Sequence, residues 1–291
     1  MPRGEAARDG WYVVNHVPLE QYLPGVVAGE LYSHWRVETY AAQAVAARSY
    51  ACAERTYRGH RPYDLTNTAS SQVYKGRTQH ARALEAVSMT RGMVLAHDDL
   101  LVPGYYSACC GGRAAIAVDA FGVHPFNDVA PLRGRPYEDV CVEAPLFTWT
   151  IDRAHADVAA RVAAYAKRRK HPELVGAKRV HLVEPCSVNP HGRPVSYAVT
   201  TDAGGMVLSA GALRAAVDYT GAGMKRPKRR LWSPNFDVSI DGDAVRFSGH
   251  GHGHGVGMCQ HGAETLARAS KSFASILAWY YPEVEIVRAY G

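Results

Sequence analysis

The residues with the most evident capacity for chemistry cluster in Gly249–Ala263, GHGHGHGVGMCQHGA. Glycines alternate with His250, His252 and His254, and on a strand this spacing would set all three imidazoles on one face. Three histidines so placed could ligate zinc or copper, although a metal site also requires fixed geometry and supporting partners around its ligands. A second reading is open: the glycines permit positive φ and let another chain or a ligand approach the main chain closely. The six cysteines, Cys52, Cys109, Cys110, Cys141, Cys186 and Cys259, contain no CxxC pair. Cys109 and Cys110 read most simply as small buried hydrophobes, with a metal shared with a nearby histidine as the open alternative.

Two charged residues stand apart. Glu30 closes a helical pattern, where a lone carboxylate is ordinarily solvated. Arg48 lies on a long helix with Ala44 and Cys52 at i−4 and i+4, so no intrahelical ion pair is available and a tertiary or ligand partner is expected. The run Lys225, Arg226, Lys228, Arg229, Arg230, interrupted by Pro227 and without aromatic interleaving, reads as a solvated loop.

These residues must be positioned by recognisable elements. Trp11–Val17 reads as a strand. Leu19–Leu31 has helical spacing, with Pro24 and Gly25 predicting a short or kinked helix that begins at the proline. Val37–Tyr57, alanine-rich and free of Gly and Pro, is the strongest helix, with a stripe through Val37, Tyr40, Ala41, Ala44, Val45 and Ala51. A long loop over Arg58–Tyr74 precedes a helix at Ala81–Thr90, then strands at Met93–Ala96 and Leu100–Tyr106 flank an Asp98–Asp99 turn. Further on, strands at Phe147–Ile151 and Val180–Val183, a helix at Ala154–Lys167, and hairpins at Tyr197–Leu208 and Phe236–Ser248 are predicted. The last segment, Ala263–Tyr281, reads as one helix ending at Pro282. Strands and helices without βαβ alternation predict an α+β fold.

The 291 residues allow about two domains or one large one. With 47% hydrophobic and 21% charged residues the chain is of ordinary globular composition, which excludes disordered and collagenous classes. The net charge of +6 favours an anionic partner without choosing one. Nucleic acid is not expected, because no helix-turn-helix, OB or RRM signature accompanies the charge. No apolar run is long enough for a transmembrane segment. The opening Met1–Gly10 has no apolar core of a secretory signal, so the protein stays inside the cell or this numbering begins after a removed leader.

Tyr22-Leu23-Pro24-Gly25-Val26-Val27-Ala28-Gly29-Glu30, followed by Ala42-Gln43-Ala44-Val45-Ala46-Ala47-Arg48-Ser49-Tyr50-Ala51, resembles the SpoIID/LytB family of sporulation and cell-wall proteins. His254-Gly255-Val256-Gly257-Met258-Cys259-Gln260-His261-Gly262-Ala263, with Ile276-Leu277 before Tyr280-Tyr281-Pro282, is similar to that family's second signature. Between them Asp64, Thr68, Gln72-Val73-Tyr74-Lys75-Gly76, Tyr106-Ser107 and Gly111-Gly112 follow the family's order, so the resemblance spans His16 to Pro282.

The resemblance implies a peptidoglycan lytic transglycosylase that cuts the MurNAc–GlcNAc bond and closes the MurNAc C6 hydroxyl onto C1, leaving a 1,6-anhydro end. Glu30 falls at the family's catalytic acid. A hydrolase usually needs two carboxylates, whereas a transglycosylase finds its nucleophile on the sugar and needs one. Glu30 would donate a proton to the glycosidic oxygen and then take one from the C6 hydroxyl, aided by a pKa that Val26, Val27 and Leu31 could raise by desolvation. Arg48, Gln72, Tyr74, Ser107, His254 and Gln260 are the expected substrate-binding residues.

The implied architecture is a catalytic core from residues 16–135 and 236–285, a β-rich middle lobe over 136–235 and a glycan groove between them, all within a domain over 16–285 after an N-terminal extension, 1–15. The implied partners are peptidoglycan glycan strands, peptide-stripped ones in particular, and a cell-wall amidase; the implied location is the cell envelope or periplasm. No cofactor is expected. Some family members place Cys and then His-Cys before the Gln-x-Tyr motif and bind zinc there. Here Leu65 or Thr66 and Ser70-Ser71 precede Gln72, so no metal is expected at that place. The alternative function is a non-catalytic, glycan-binding amidase enhancer of the LytB kind.

Overall fold

The computed structural model describes residues 13–57, 62–68, 71–135 and 140–291. The fold is α+β: among these residues three three-stranded sheets are antiparallel throughout, and helices are interspersed without βαβ crossovers. The described residues divide into two compact units, one from the chain up to Tyr106 with Val123–Gly134 and Gly257–Gly291, the other from Ser107–Gly122 and Arg135–Val256. Residues 236–256, which sequence reading grouped with the C-terminal segment, fall in the second unit. There Ala244–His250 pairs with Thr148–Ala154 along its whole length, and Phe236–Asp241 pairs on its other edge.

The first unit is built around the helix Val37–Tyr57. Every residue from Thr39 to Ser49 is buried, so the expected apolar stripe has become burial on all sides. Alanine explains this: it costs no side-chain entropy and leaves room for neighbours to close in. Helices Leu19–Glu30, Ala81–Met89, Gln260–Arg268 and Phe273–Tyr280 all pack against it. Leu23, Val26, Val27 and Trp35 meet Tyr40, Ala44 and Ala47 in one core. Met93–His97 is sandwiched between Leu100–Leu101 and the C-terminal strand Glu285–Arg288.

Several expectations are corrected. Residues 13–17 form no strand, and Trp11 and Tyr12 lie outside the described residues. The first helix does not begin at Pro24 but runs from Leu19 to Glu30 with the proline inside, Pro18 accepting the Gln21 and Tyr22 N–H groups at its start. The C-terminal helix is two, Gln260–Arg268 and Phe273–Tyr280, because Ser270 is left-handed and Ser272 caps the second through the Ser275 N–H.

In the second unit Val180–Val188, Pro194–Thr201 and Gly204–Ser209 form one sheet, and helices His155–Arg169 and Ala210–Val217 cover a core of Trp149, Val162, Leu174, Tyr197, Leu213, Phe236 and Phe247. The basic run is exposed, and its backbone is tied down by Arg161 to the Lys225 carbonyl at 2.9 Å and by Arg153 to that of Arg229 at 2.6 Å.

Candidate active site

Glu30 is the last residue of its helix; Leu31 is extended at φ −114° and ψ 155°. Gly25 and Gly29, one turn apart, make the helix face flat. A Cβ at Gly25 would stand 2.1 Å from the Gly76 carbonyl oxygen and 2.8 Å from the Tyr74 ring, and one at Gly29 would stand 3.0 Å from the Val73 oxygen. The glycines thus let the segment 73–76 lie directly on the helix, which brings the Val73 N–H to 3.1 Å from Glu30 Oε1. On the other side Gln260, first residue of its helix, aims Nε2 at Glu30 Oε2 at 3.4 Å and at Gln43 Oε1 at 3.3 Å.

Burial pushes the Glu30 carboxyl above its ordinary value of 4.5, while the Val73 N–H, Gln260 and the charge of Lys75 pull the other way without cancelling it. The carbonyl end of the helix adds partial negative charge beside the carboxyl, which acts in the same direction as burial. No ion pair to Glu30 occurs among the described residues.

Two tyrosines share this environment. The Tyr22 hydroxyl donates to Gln72 Oε1 at 3.2 Å, and Gln72 Nε2 donates to the Tyr106 hydroxyl at 3.2 Å and to the Ala47 carbonyl at 3.0 Å. Burial holds both hydroxyls above the ordinary tyrosine value, and the charge of Glu30 adds to it in both. They are protonated hydrogen-bonding groups at neutral pH. Tyr74 stacks on Tyr22 with ring centroids 4.8 Å apart.

Of the expected substrate-binding residues, the first unit brings Tyr74 and Gln260 to the neighbourhood of Glu30. Gln72 is fully buried and acts beneath the site by fixing Tyr22 and Tyr106. Arg48 requires correction. It has no exposed surface, and its guanidinium closes on Glu20 through Nε–Oε1 at 2.9 Å and Nη2–Oε2 at 3.0 Å, with the Met93 carbonyl at 3.1 Å. The tertiary partner that its spacing demanded is therefore a carboxylate at the start of the Glu30 helix, and no face of Arg48 is presented to a ligand.

Ser107 and His254 belong to the second unit. Ser107 Oγ accepts the Gly255 N–H at 3.2 Å, and His254 Nδ1 accepts the Val256 N–H at 3.1 Å. Arg193 donates to the His254 carbonyl at 3.0 Å. The expectation that three imidazoles share a strand face fails. The strand ends at His250, and Gly251, Gly253, Gly255 and Gly257 take φ of 78°, 101°, 78° and 65°. Each left-handed glycine turns the chain, so His250 meets Phe147, His252 meets Trp232 and His254 meets Phe121. The backbone reading of the glycines is the one realised.

Sequence reasoning passed over Gln43, Tyr22, Tyr106, Lys75 and the Val73 N–H. Gln43 carried a usable signal: an amide buried in an alanine-rich helix needs partners. One is Gln260, while Gln43 Nε2 is buried without a hydrogen-bond partner among the described residues.

Residues 7–97 match the stage II sporulation protein (SpoIID) family. The chain is 30% identical over 287 residues to a Brachyspira hyodysenteriae protein named only as uncharacterized, covering 96% of this chain and 69% of that one. It is 24% identical over 292 residues to stage II sporulation protein D of Bacillus subtilis, covering 95% of this chain and 76% of that one. It is also 26% identical over 300 residues to the amidase enhancer of the same organism, covering 89% of this chain and 39% of the enhancer.

The chain belongs to the SpoIID/LytB family. Its family-level role is in the bacterial cell wall, with an association with the cell envelope. No helix among the described residues is long and apolar enough to cross a membrane.

Proposed function

We propose that this protein is a peptidoglycan lytic transglycosylase in which Glu30 is general acid and then general base. The observation that carries the reading is the state of Glu30, a half-buried carboxyl with a raised pKa, approached by neutral donors and one exposed lysine. Such a group holds its proton closer to neutrality than an ordinary glutamate and can deliver it to a glycosidic oxygen. The resulting carboxylate is received by the Val73 N–H and Gln260, and it can then withdraw the proton from the C6 hydroxyl as that oxygen closes on C1.

Among the described residues, the groups that shift Glu30 include no second carboxylate, which accords with intramolecular closure, since a hydrolase would use a second acid to activate water. Tyr74 offers an aromatic face beside the acid, and Gln260 orients the carboxyl. Ser107 and His254, in the second unit, are proposed glycan contacts of that unit. The substrate is a glycan strand, stripped of stem peptides, so a cell-wall amidase is the partner in this reading. A second reading has a specific support, the similarity to a protein named amidase enhancer. In that case the same surface binds glycan without cutting it.

Mass spectrometry of the products from intact and amidase-treated peptidoglycan, with Glu30→Gln alongside, separates these readings. Anhydro-MurNAc ends from the wild type are expected, falling by about 10²-fold or more in the variant. Reducing ends would mean a hydrolase, and glycan binding without cleavage would mean the enhancer.

A further inference from the structure

The second unit contains a group of thiols with no part in the chemistry above. Cys141 Sγ lies 3.5 Å from Cys110 Sγ and 3.7 Å from Cys109 Sγ, so one sulfur serves two adjacent cysteines. The two neighbours differ. Cys109 is buried; its N–H and carbonyl are both bonded to His252, at 3.1 and 2.8 Å, and its sulfur accepts the Gly111 N–H at 3.4 Å. Cys110 is partly exposed and its sulfur is nearer to Cys141.

Arg193 adds a second, independent observation. It is buried, its guanidinium donates to the carbonyls of Cys110, Arg113 and His254, and no ion pair to a carboxylate is formed among the described residues. Burial pulls its pKa down to about 10, and negative charge on Cys110 works against that pull. Arg193 thus fixes the backbone of Cys110, the member of the group whose partial exposure lets a disulfide reagent reach it.

We propose that Cys110 and Cys141 are a redox pair that closes to a disulfide, with Cys110 as the attacking thiol and Cys141 as the resolving one. A disulfide needs sulfurs about 2 Å apart, so the present separation is closed by a movement of roughly 1.5 Å, within reach of side-chain rotation. The oxidant is a protein or low-molecular-weight disulfide. The Cys110 thiolate attacks one of its sulfurs and expels the other as a thiolate, giving a mixed disulfide. The Cys141 thiolate then attacks the Cys110 sulfur and expels the second half of the oxidant. Two protons and two electrons leave the pair, and the oxidant departs as two thiols.

Closure would brace the glycine–histidine segment. Cys109 holds His252 on one side, and the turn from Cys141 to Phe147 holds Gly251 through the Phe147 carbonyl at 3.0 Å on the other. The cross-link joins these two supports covalently.

The test uses the full chain, reduced and then equilibrated with oxidised glutathione. The intact mass is expected to fall by about 2 Da, a non-reducing digest to give a peptide whose fragments link Cys110 to Cys141, and the melting temperature to rise by a few degrees. Cys109→Ser is expected to keep the link, and the wild-type arm is decisive should that variant fail to fold. A link through Cys109 in the wild type, glutathione adducts confined to the exposed Cys186, or thiols that stay reduced around a co-purified metal ion would each overturn the proposal.

Discussion

The helix Leu19–Glu30 carries a glutamate near each end, and the two have opposite fates. Glu20 receives Arg48 through two bonds, the Tyr290 hydroxyl at 2.8 Å and the Gly92 N–H at 3.2 Å. Burial acts to raise its pKa, but these donors outweigh it and the net shift is downward. Glu30 is offered one N–H, one longer amide contact and the distant charge of Lys75, and for it burial wins. The difference shows what separates a structural carboxylate from one suited to proton transfer. The first is matched by a buried guanidinium and stays ionised; the second is desolvated and left half-satisfied. In sequence both are lone glutamates on one helix.

The comparison is broken most severely by Arg48→Ala. Removing the guanidinium leaves the partly buried Glu20 without its counter-charge, held only by the Tyr290 hydroxyl and the Gly92 N–H, and a loss of about 3–5 kcal/mol is expected in denaturant unfolding, before any effect on catalysis is considered. A loss of glycan affinity with unchanged stability would instead restore Arg48 to the substrate.

Exchanging the charges one at a time sharpens the contrast. Glu20→Gln is expected to cost about 1–3 kcal/mol of stability, and Glu30→Gln to leave stability within about 0.5 kcal/mol while removing activity. The pH dependence carries the same sign. Because the folded-state pKa of Glu20 is depressed, its stabilisation is present above the ordinary value of 4.5 and is lost as pH falls through the lower folded value. Glu30 is raised, so the fold gains stability as pH falls from that raised value towards 4.5. Acid titration of Glu20→Gln should therefore lack the low-pH loss, and that of Glu30→Gln should lack the gain.

The smallest effect belongs to Gln260→Ala. Gln260 lowers the Glu30 pKa, so its removal should move the alkaline limb of the pH–rate profile to higher pH with a modest change in maximal rate. A limb that does not move would assign that limb to another group.

Periodicity placed the long helix and both hairpins, whereas Gly25, Gly29 and Glu30 stood out only through the resemblance to the family's motif. What remained hidden depended on contacts far apart in sequence. Nothing local distinguishes Arg48 facing Glu20 from Arg48 facing a sugar, since both demand only a distant partner. Of the two readings of the glycine–histidine run, the shared strand face fails because alternation predicts one only where φ stays negative, and four left-handed glycines remove that condition. Gly25 illustrates the converse: its absent side chain is informative only once the Gly76 carbonyl is seen against it.

The order of segments in the first unit also sets a clock. Gln260 follows Glu30 by 230 residues, and Tyr290 follows Glu20 by 270. At 5–20 residues per second, synthesis needs roughly 10–50 s to travel from Glu30 to its amide partner. Until then the carboxyl lacks Gln260, and the long helix lacks the two C-terminal helices that cover it. A nascent chain in which Gln260 has not yet been made therefore carries an unfinished acid, and the finished environment of Glu30 appears only once that distant helix has joined it.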